Sequence, residues 1–248
     1  MDVHTESHSA VETNSLHGGV LSAPDGIALA AASTLMPERA SDVAYKQLRE
    51  MILDLRLAPG EVLNELSLSA MIGIGRMPVR EALQRLSSDR FVVALPRRGT
   101  VVSSMTMVDV AHLYEAREAV ECGIARVVIR RITDEQISEF RILVDQADEA
   151  RGVFDAERFL LNDLRIHRFV IGMMDNALLH DAADSLLLHN LRFWRSFFRS
   201  RLPQGETMLS HRDLLTAFET RDGEAAEEAT RAHIEGSRQL LVTLFDGN

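Results

Sequence analysis

Asp163 and His167 stand four residues apart, and His211 and His233 lie further along the same chain. At helical pitch, residues four apart are separated by only about 40° around the axis, so a carboxylate and an imidazole would leave one face together. Three imidazoles and a carboxylate drawn from three helices would suit Zn²⁺, Ni²⁺ or a similar divalent ion. Spacing alone leaves another reading open, in which each histidine is an ordinary hydrogen-bonded core or surface group. His4, His8 and His17 fall in the first forty residues and are not part of this set.

A second group is cationic. Arg76, Arg80 and Gln84 recur every four residues on one face of an amphipathic stretch whose other face carries Val79, Ala82, Leu83 and Leu86. Downstream, Pro96-Arg97-Arg98-Gly99 separates two β-branched runs, as expected for a hairpin with a basic tip. Guanidinium groups suit both DNA grooves. They bind guanine O6 and N7 in pairs in the major groove and are attracted to a narrow minor groove. Taken alone, the same arginines also fit a solvated helix face.

These side chains need elements to position them. Apolar spacing predicts a helix over Val43–Leu55, stopped by Ala58-Pro59-Gly60, an extended link over Glu61–Glu65, and a second helix over Glu65–Ile72. A tight turn at Gly73-Ile74-Gly75-Arg76 leads to a third helix over Met77–Asp89, where Pro78 suits the first turn. Phe91–Leu95 and Thr100–Ser103 form the hairpin. Helix, helix, turn, helix and basic hairpin make a winged helix-turn-helix. Beyond it no strand pattern occurs, and breaks at Gly152, Asn176, Pro203-Gln204-Gly205 and Arg221-Asp222-Gly223 divide the rest into about six helices. These are Met107–Arg131, Asp134–Ala150, Asp155–Met174, Leu178–Arg201, Glu206–Thr220 and Gly223–Phe245. The expected fold is mainly α, a winged helix-turn-helix over 41–105 and an antiparallel helical bundle over 106–248. Residues 1–40 read as a flexible arm, with Ile27–Met36 as a possible short helix.

Charge follows the same division. The 248 residues carry a net charge of −10, which argues against a nucleic-acid binder until it is located. Residues 1–40 hold −4 and residues 106–248 hold −8, while 41–105 hold nine bases and seven acids. One cysteine, Cys122, excludes an intrachain disulfide and a cysteine-rich zinc module, and points to a reducing, cytoplasmic setting. No run of eighteen apolar residues suggests a membrane span.

The motifs themselves resemble the GntR transcription regulators. That family shows a run similar to L-x-P-G-x-x-L-x-E, then L-A-x-x-L-G-V-S-R-T-P-V-R-E-A-L-x-x-L, then a wing with R-R-G. Here the chain reads LAPGEVLNELSLSAMIGIGRMPVREALQRL and LPRRG. The resemblance implies that Arg76, Met77 and Arg80 face the major groove and that Arg98 and Gly99 make the wing contact. Gly75 replaces the usual serine, removing a helix cap, and Met77 replaces threonine, offering an apolar group to a thymine methyl.

The segments DLRIHRFVIGMMDNALL and SHRDLLTAFETRDGEAAEEATRAHI resemble the ligand-binding domain of the FadR subgroup, the FCD type. Carried over position by position, Asp163, His167, His211 and His233 are that subgroup's metal ligands, with Ile166 departing from its phenylalanine. Arg117 matches the arginine that lines the subgroup's effector pocket, although a salt bridge to Glu121, four residues on, is an equal reading. Arg192 and Arg195 could serve similarly without a motif behind them. The resemblance therefore implies a homodimeric regulator of a palindromic operator, controlled by a small carboxylate or hydroxy acid at a divalent ion. Two other readings remain: a regulator for which the ion is itself the signal, and a metalloenzyme.

Overall fold

The computed structural model describes residues 38–200 and 209–246. The first 37 residues, including Ile27–Met36 and the three tail histidines, lie outside it, as do Pro203-Gln204-Gly205 and the expected start of a helix at Glu206. The order of elements is α1 (Ala40–Leu53), β1 (Val62–Leu63), α2 (Glu65–Ile72), α3 (Arg76–Ser88), β2 (Val92–Leu95), β3 (Gly99–Val102), α4 (Met107–Val128), α5 (Asp134–Gly152), α6 (Ala156–Gly172), α7 (Ala177–Ser200), α8 (Arg212–Glu219) and α9 (Gly223–Asp246).

Local chemistry explains most boundaries. The Asn64 side chain accepts from the backbone N–H groups of Leu66 and Ser67 and so opens α2, and Gly73 closes it at φ 69 in the left-handed region that glycine enters freely. Gly75 precedes α3 with no side-chain cap, the consequence expected of its replacing serine. Reciprocal capping boxes, Thr106 with Asp109 and Thr133 with Gln136, open α4 and α5.

The hairpin forms as expected, but as part of a three-stranded antiparallel sheet in the order β1-β3-β2. The extended link after Gly60 supplies the third strand, pairing Val62 with Val101 and Leu63 with Thr100. Two residues show too little alternation to be read as a strand from sequence. Helix α1 begins three residues before Val43, and α8 begins only after His211.

Two hydrophobic cores result. One gathers Leu48, Ile52, Leu68, Val79, Leu86, Phe91 and Val102 under the sheet, and takes in Leu188 from α7. The other fills the bundle with Tyr114, Ile124, Phe140, Ile166, Trp194, Phe218 and Ile234 among others. Helix α7 thus serves both. Arg195 Nη1 donates to Leu53 O (3.2 Å) and Asp54 Oδ1 (2.9 Å) and Arg199 Nη1 to Leu55 O (3.2 Å), capping the end of α1, while Trp194 packs in the bundle. No described helix is long and apolar enough to cross a membrane.

Candidate metal centre and nucleic-acid interface

Amphipathic α6 aims Asp163 and His167 into the bundle from one face. His211 enters from the residue before α8 and His233 from α9. Their four potential ligand atoms all lie within 4.8 Å of one another. From Asp163 Oδ1 the distances are 3.3 Å to His211 Nε2, 3.7 Å to His167 Nε2 and 3.7 Å to His233 Nε2. The Nε2 atoms of His167 and His211 are 3.4 Å apart.

These distances are long for direct hydrogen bonds, and two imidazole nitrogens facing each other share at most one proton. Tetrahedral bonds of about 2.0–2.1 Å to one ion separate neighbouring donor atoms by about 3.3–3.4 Å, close to what is found. The donor set, three imidazoles and a carboxylate, therefore fits a divalent ion. Electrostatics agrees: burial pushes the His211 and His233 rings below the ordinary histidine pKa, so they are neutral and free to coordinate. Asp163 lies well below the carboxylate range. Its burial opposes this, but the charge of His167 and the close approach of the His211 and His233 rings outweigh it.

Behind these side chains stands Glu121 of α4, almost wholly buried. Its Oε2 lies 2.6 Å from His167 Nδ1 and its Oε1 accepts from Arg117 Nε at 2.7 Å. Burial alone would raise this carboxyl's pKa; the charge of Arg117, then that of His167, brings it down to about 2. The bond to Nδ1 fixes the ring so that Nε2 faces the cluster. The Nδ1 atoms of His211 and His233 have no partner among the described residues. Arg117 forms the expected pair with Glu121 and places Nη2 3.5 Å from His167 Nε2. A cavity of about 20 Å³ adjoins the cluster, walled by Arg117, Asp163, Asn190, Trp194, His233 and Ser237.

The second site lies in the winged helix-turn-helix. Arg76, Met77 and Arg80 are all exposed on the first turns of α3, with 61%, 60% and 50% of their surface free. Glu65, at the first residue of α2, holds Arg80 through two bonds, Nε to Oε1 at 2.9 Å and Nη2 to Oε2 at 2.8 Å. It also lies 3.9 Å from Arg76. The arginine fork is thereby set beside the N-terminus of α3, at the cost of occupying its donors. At the wing, Arg97 and Gly99 adopt φ 64 and φ 80, Arg98 N donates to Leu95 O at 3.2 Å, and the turn leaves Arg97, Arg98 and Gly99 exposed.

Residues 40–102 match the bacterial regulatory proteins of the gntR family, and residues 112–236, half of the chain, match the FCD domain. The chain belongs to the FCD-bearing GntR regulators. It is 28% identical over 191 residues to the HTH-type transcriptional repressor RspR of Escherichia coli K12, covering 77% of this chain and 84% of that one. It is 23% identical over 184 residues to the gluconate operon transcriptional repressor of Bacillus licheniformis, covering 71% and 74%. Its fold matches that of E. coli McbR/YncC with a TM-score of 0.71 at 16% identity, over 85% of this chain and 99% of that one. Members of the family are transcription regulators rather than enzymes.

Within this regulator, spacing paired Asp163 with His167 and the family motifs added His211 and His233, but neither gave Glu121 as a partner of His167. Those residues are on different helices, so no periodicity joins them; only the i,i+4 relation to Arg117 hinted that Glu121 turns inward. Asn190 and Ser237, on the cavity wall, carried no signal. Arg192 and Arg195 do not reach the cluster. Both face the winged helix, where α7 binds it.

Proposed function

We propose that this regulator binds a palindromic operator as a homodimer in the cytoplasm, and that a small carboxylate or hydroxy acid at a divalent ion in the bundle controls that binding. Residues 41–105 read DNA through Arg76, Met77 and Arg80 on α3 and Arg98 and Gly99 at the wing. Residues 106–248 bind the effector and dimerise. The observation that carries the reading is the convergence of Asp163, His167, His211 and His233 in a buried pocket beside the Arg117 guanidinium.

A divalent ion held there, with zinc or nickel the best match to the donors, would supply positive charge and coordination positions for a ligand carboxylate. The chain's own residues do the rest. Glu121 orients His167, Arg117 offers a cation to the acid, and Trp194 and Phe198 exclude water from its carbon skeleton. Both belong to α7, whose other edge holds the winged helix. An acid that fits better when α7 shifts would therefore change the setting of α3, and can weaken DNA binding only as far as it prefers that arrangement. Release of repression is the proposed sign, in keeping with relatives named as repressors. The name of the gluconate operon repressor suggests sugar acids as first candidates.

The small cavity volume favours a second reading, in which the ion alone is the signal. A thermal-shift screen of small carboxylates, with and without chelator, separates the two. Stabilisation by an acid that disappears with chelator supports the first. Stabilisation by metal, with no acid adding to it, supports the second.

A further inference from the structure

A larger cavity lies elsewhere, between the winged helix and the bundle. It is an open cleft of about 680 Å³, within the range of small-molecule sites. Helix α7 forms one wall, the start of α4 another, and the end of α3 with the feet of β2 and β3 the third. Ser87, Ser88, Ser103, Ser104 and Ser185 line it together with Arg192.

Arg192 sets this cavity apart. The residue is only 3% exposed, yet no carboxylate pairs with it among the described residues. Its bonds are two long ones from Nη1, to Phe91 O at 3.4 Å and Ser103 O at 3.3 Å. The Phe91 ring lies 5.4 Å from the guanidinium carbon. All of these partners are neutral. Buried charges are normally paired, because leaving one uncompensated is costly. By contrast Arg117, equally buried, has Glu121. The two carboxylates at the rim are engaged elsewhere: Asp89 accepts from Tyr45 Oη at 2.6 Å, and Asp109 caps α4 through the backbone N–H and hydroxyl of Thr106. Burial lowers the Arg192 pKa to about 10, which leaves it charged at neutral pH.

We propose that this cavity is a second ligand site, separate from the metal centre, which takes a small hydroxylated anion, its carboxylate or phosphate on Arg192 and its hydroxyls on the surrounding serines. A planar guanidinium suits either oxyanion, and the serines supply donors and acceptors for a polyol chain. Because the walls come from both the winged helix and the bundle, a bound anion would fix one against the other. The site therefore gives a second input to DNA binding.

The test titrates the full-length protein calorimetrically, metal-loaded and again in excess chelator, with D-glucose 6-phosphate, D-gluconate and uncharged D-glucose. In chelator, where any binding of a sugar acid at the metal centre is gone, at least one of the two anions should still bind saturably at one per chain, and glucose should not; which anion binds distinguishes phosphate from carboxylate. In Arg192→Gln this chelator-resistant affinity should fall about tenfold or more, the worth of one charge-assisted contact. Binding of neither anion in chelator, or chelator-resistant binding intact in Arg192→Gln, would each overturn the proposal. Should Arg192→Gln fail to fold, Ser185→Phe fills the cavity from its wall without touching the guanidinium. Loss of binding in that variant supports the site, and binding at full affinity overturns it.

Discussion

Replacing Glu121 by glutamine keeps the side chain's shape and removes its charge, which separates the work of the carboxylate from simple packing. The native carboxylate accepts from His167 Nδ1 through one oxygen and from Arg117 Nε through the other. An amide has only one oxygen, so it serves either the imidazole or the guanidinium and turns an N–H toward the other. If it serves Arg117, His167 loses the partner that fixes its tautomer, and outer partners of this kind are typically worth 10–100-fold in metal affinity. Converted at about 1.4 kcal/mol per decade, the loss is about 1.4–2.8 kcal/mol. Arg117 meanwhile remains buried without a counter-ion, and breaking such a pair costs about 3–5 kcal/mol; the retained acceptor puts the expected loss near the low end, ~3 kcal/mol. Competition with a chromophoric chelator measures the first quantity, and urea unfolding in excess chelator measures the second. Metal affinity within about twofold of wild type would refute the role assigned to Glu121, because a tenfold loss is the least that role predicts.

Other consequences can be checked directly. Arg80→Ala should weaken operator binding about 10–100-fold and relax preference at one base pair per half-site, read by fluorescence anisotropy; equal loss on all sequences would make Arg80 a phosphate contact instead. Gly75→Ser should restore the missing cap of α3 and stabilise the protein by about 0.3 kcal/mol, since a Cβ there meets nothing closer than Pro78 Cδ at 3.8 Å; a drop in melting temperature would count against this geometry. In excess chelator, acid should destabilise the fold in two stages. The folded His211 and His233 bind protons less readily than in the unfolded chain, so stability falls as pH drops below the ordinary value of 6.5. Glu121, at about 2 when folded against 4.5 ordinarily, contributes stability above pH 4.5 that is lost as pH falls toward 2. Stability flat from pH 7 to 5 would contradict the burial of these histidines.

What the sequence conveyed depended on how local each feature is. Helices α3 and α6 were legible because their apolar stripes repeat within one segment, and the same periodicity brought Asp163 and His167 to one face. Adding His211 and His233 required motifs, since nothing in spacing places α8 and α9 beside α6. Strand β1 was hidden by its length. Arg192 and Glu121 were hidden for a different reason. Each is defined by a partner on a distant element: Phe91 and Ser103 for the first, His167 for the second. The net charge of −10 misled only as a total. Arg76 and Arg80 on α3, and Arg97 and Arg98 on the wing, are all exposed in the one segment where bases outnumber acids.

The most direct test of effector control measures the affinity of the metal-loaded protein for the DNA flanking its own gene, with and without a stabilising organic acid. The account predicts that the acid weakens binding at least tenfold, and that the effect vanishes in chelator and in His233→Ala while DNA binding itself persists. Operator affinity indifferent to every acid and to the metal would contradict it.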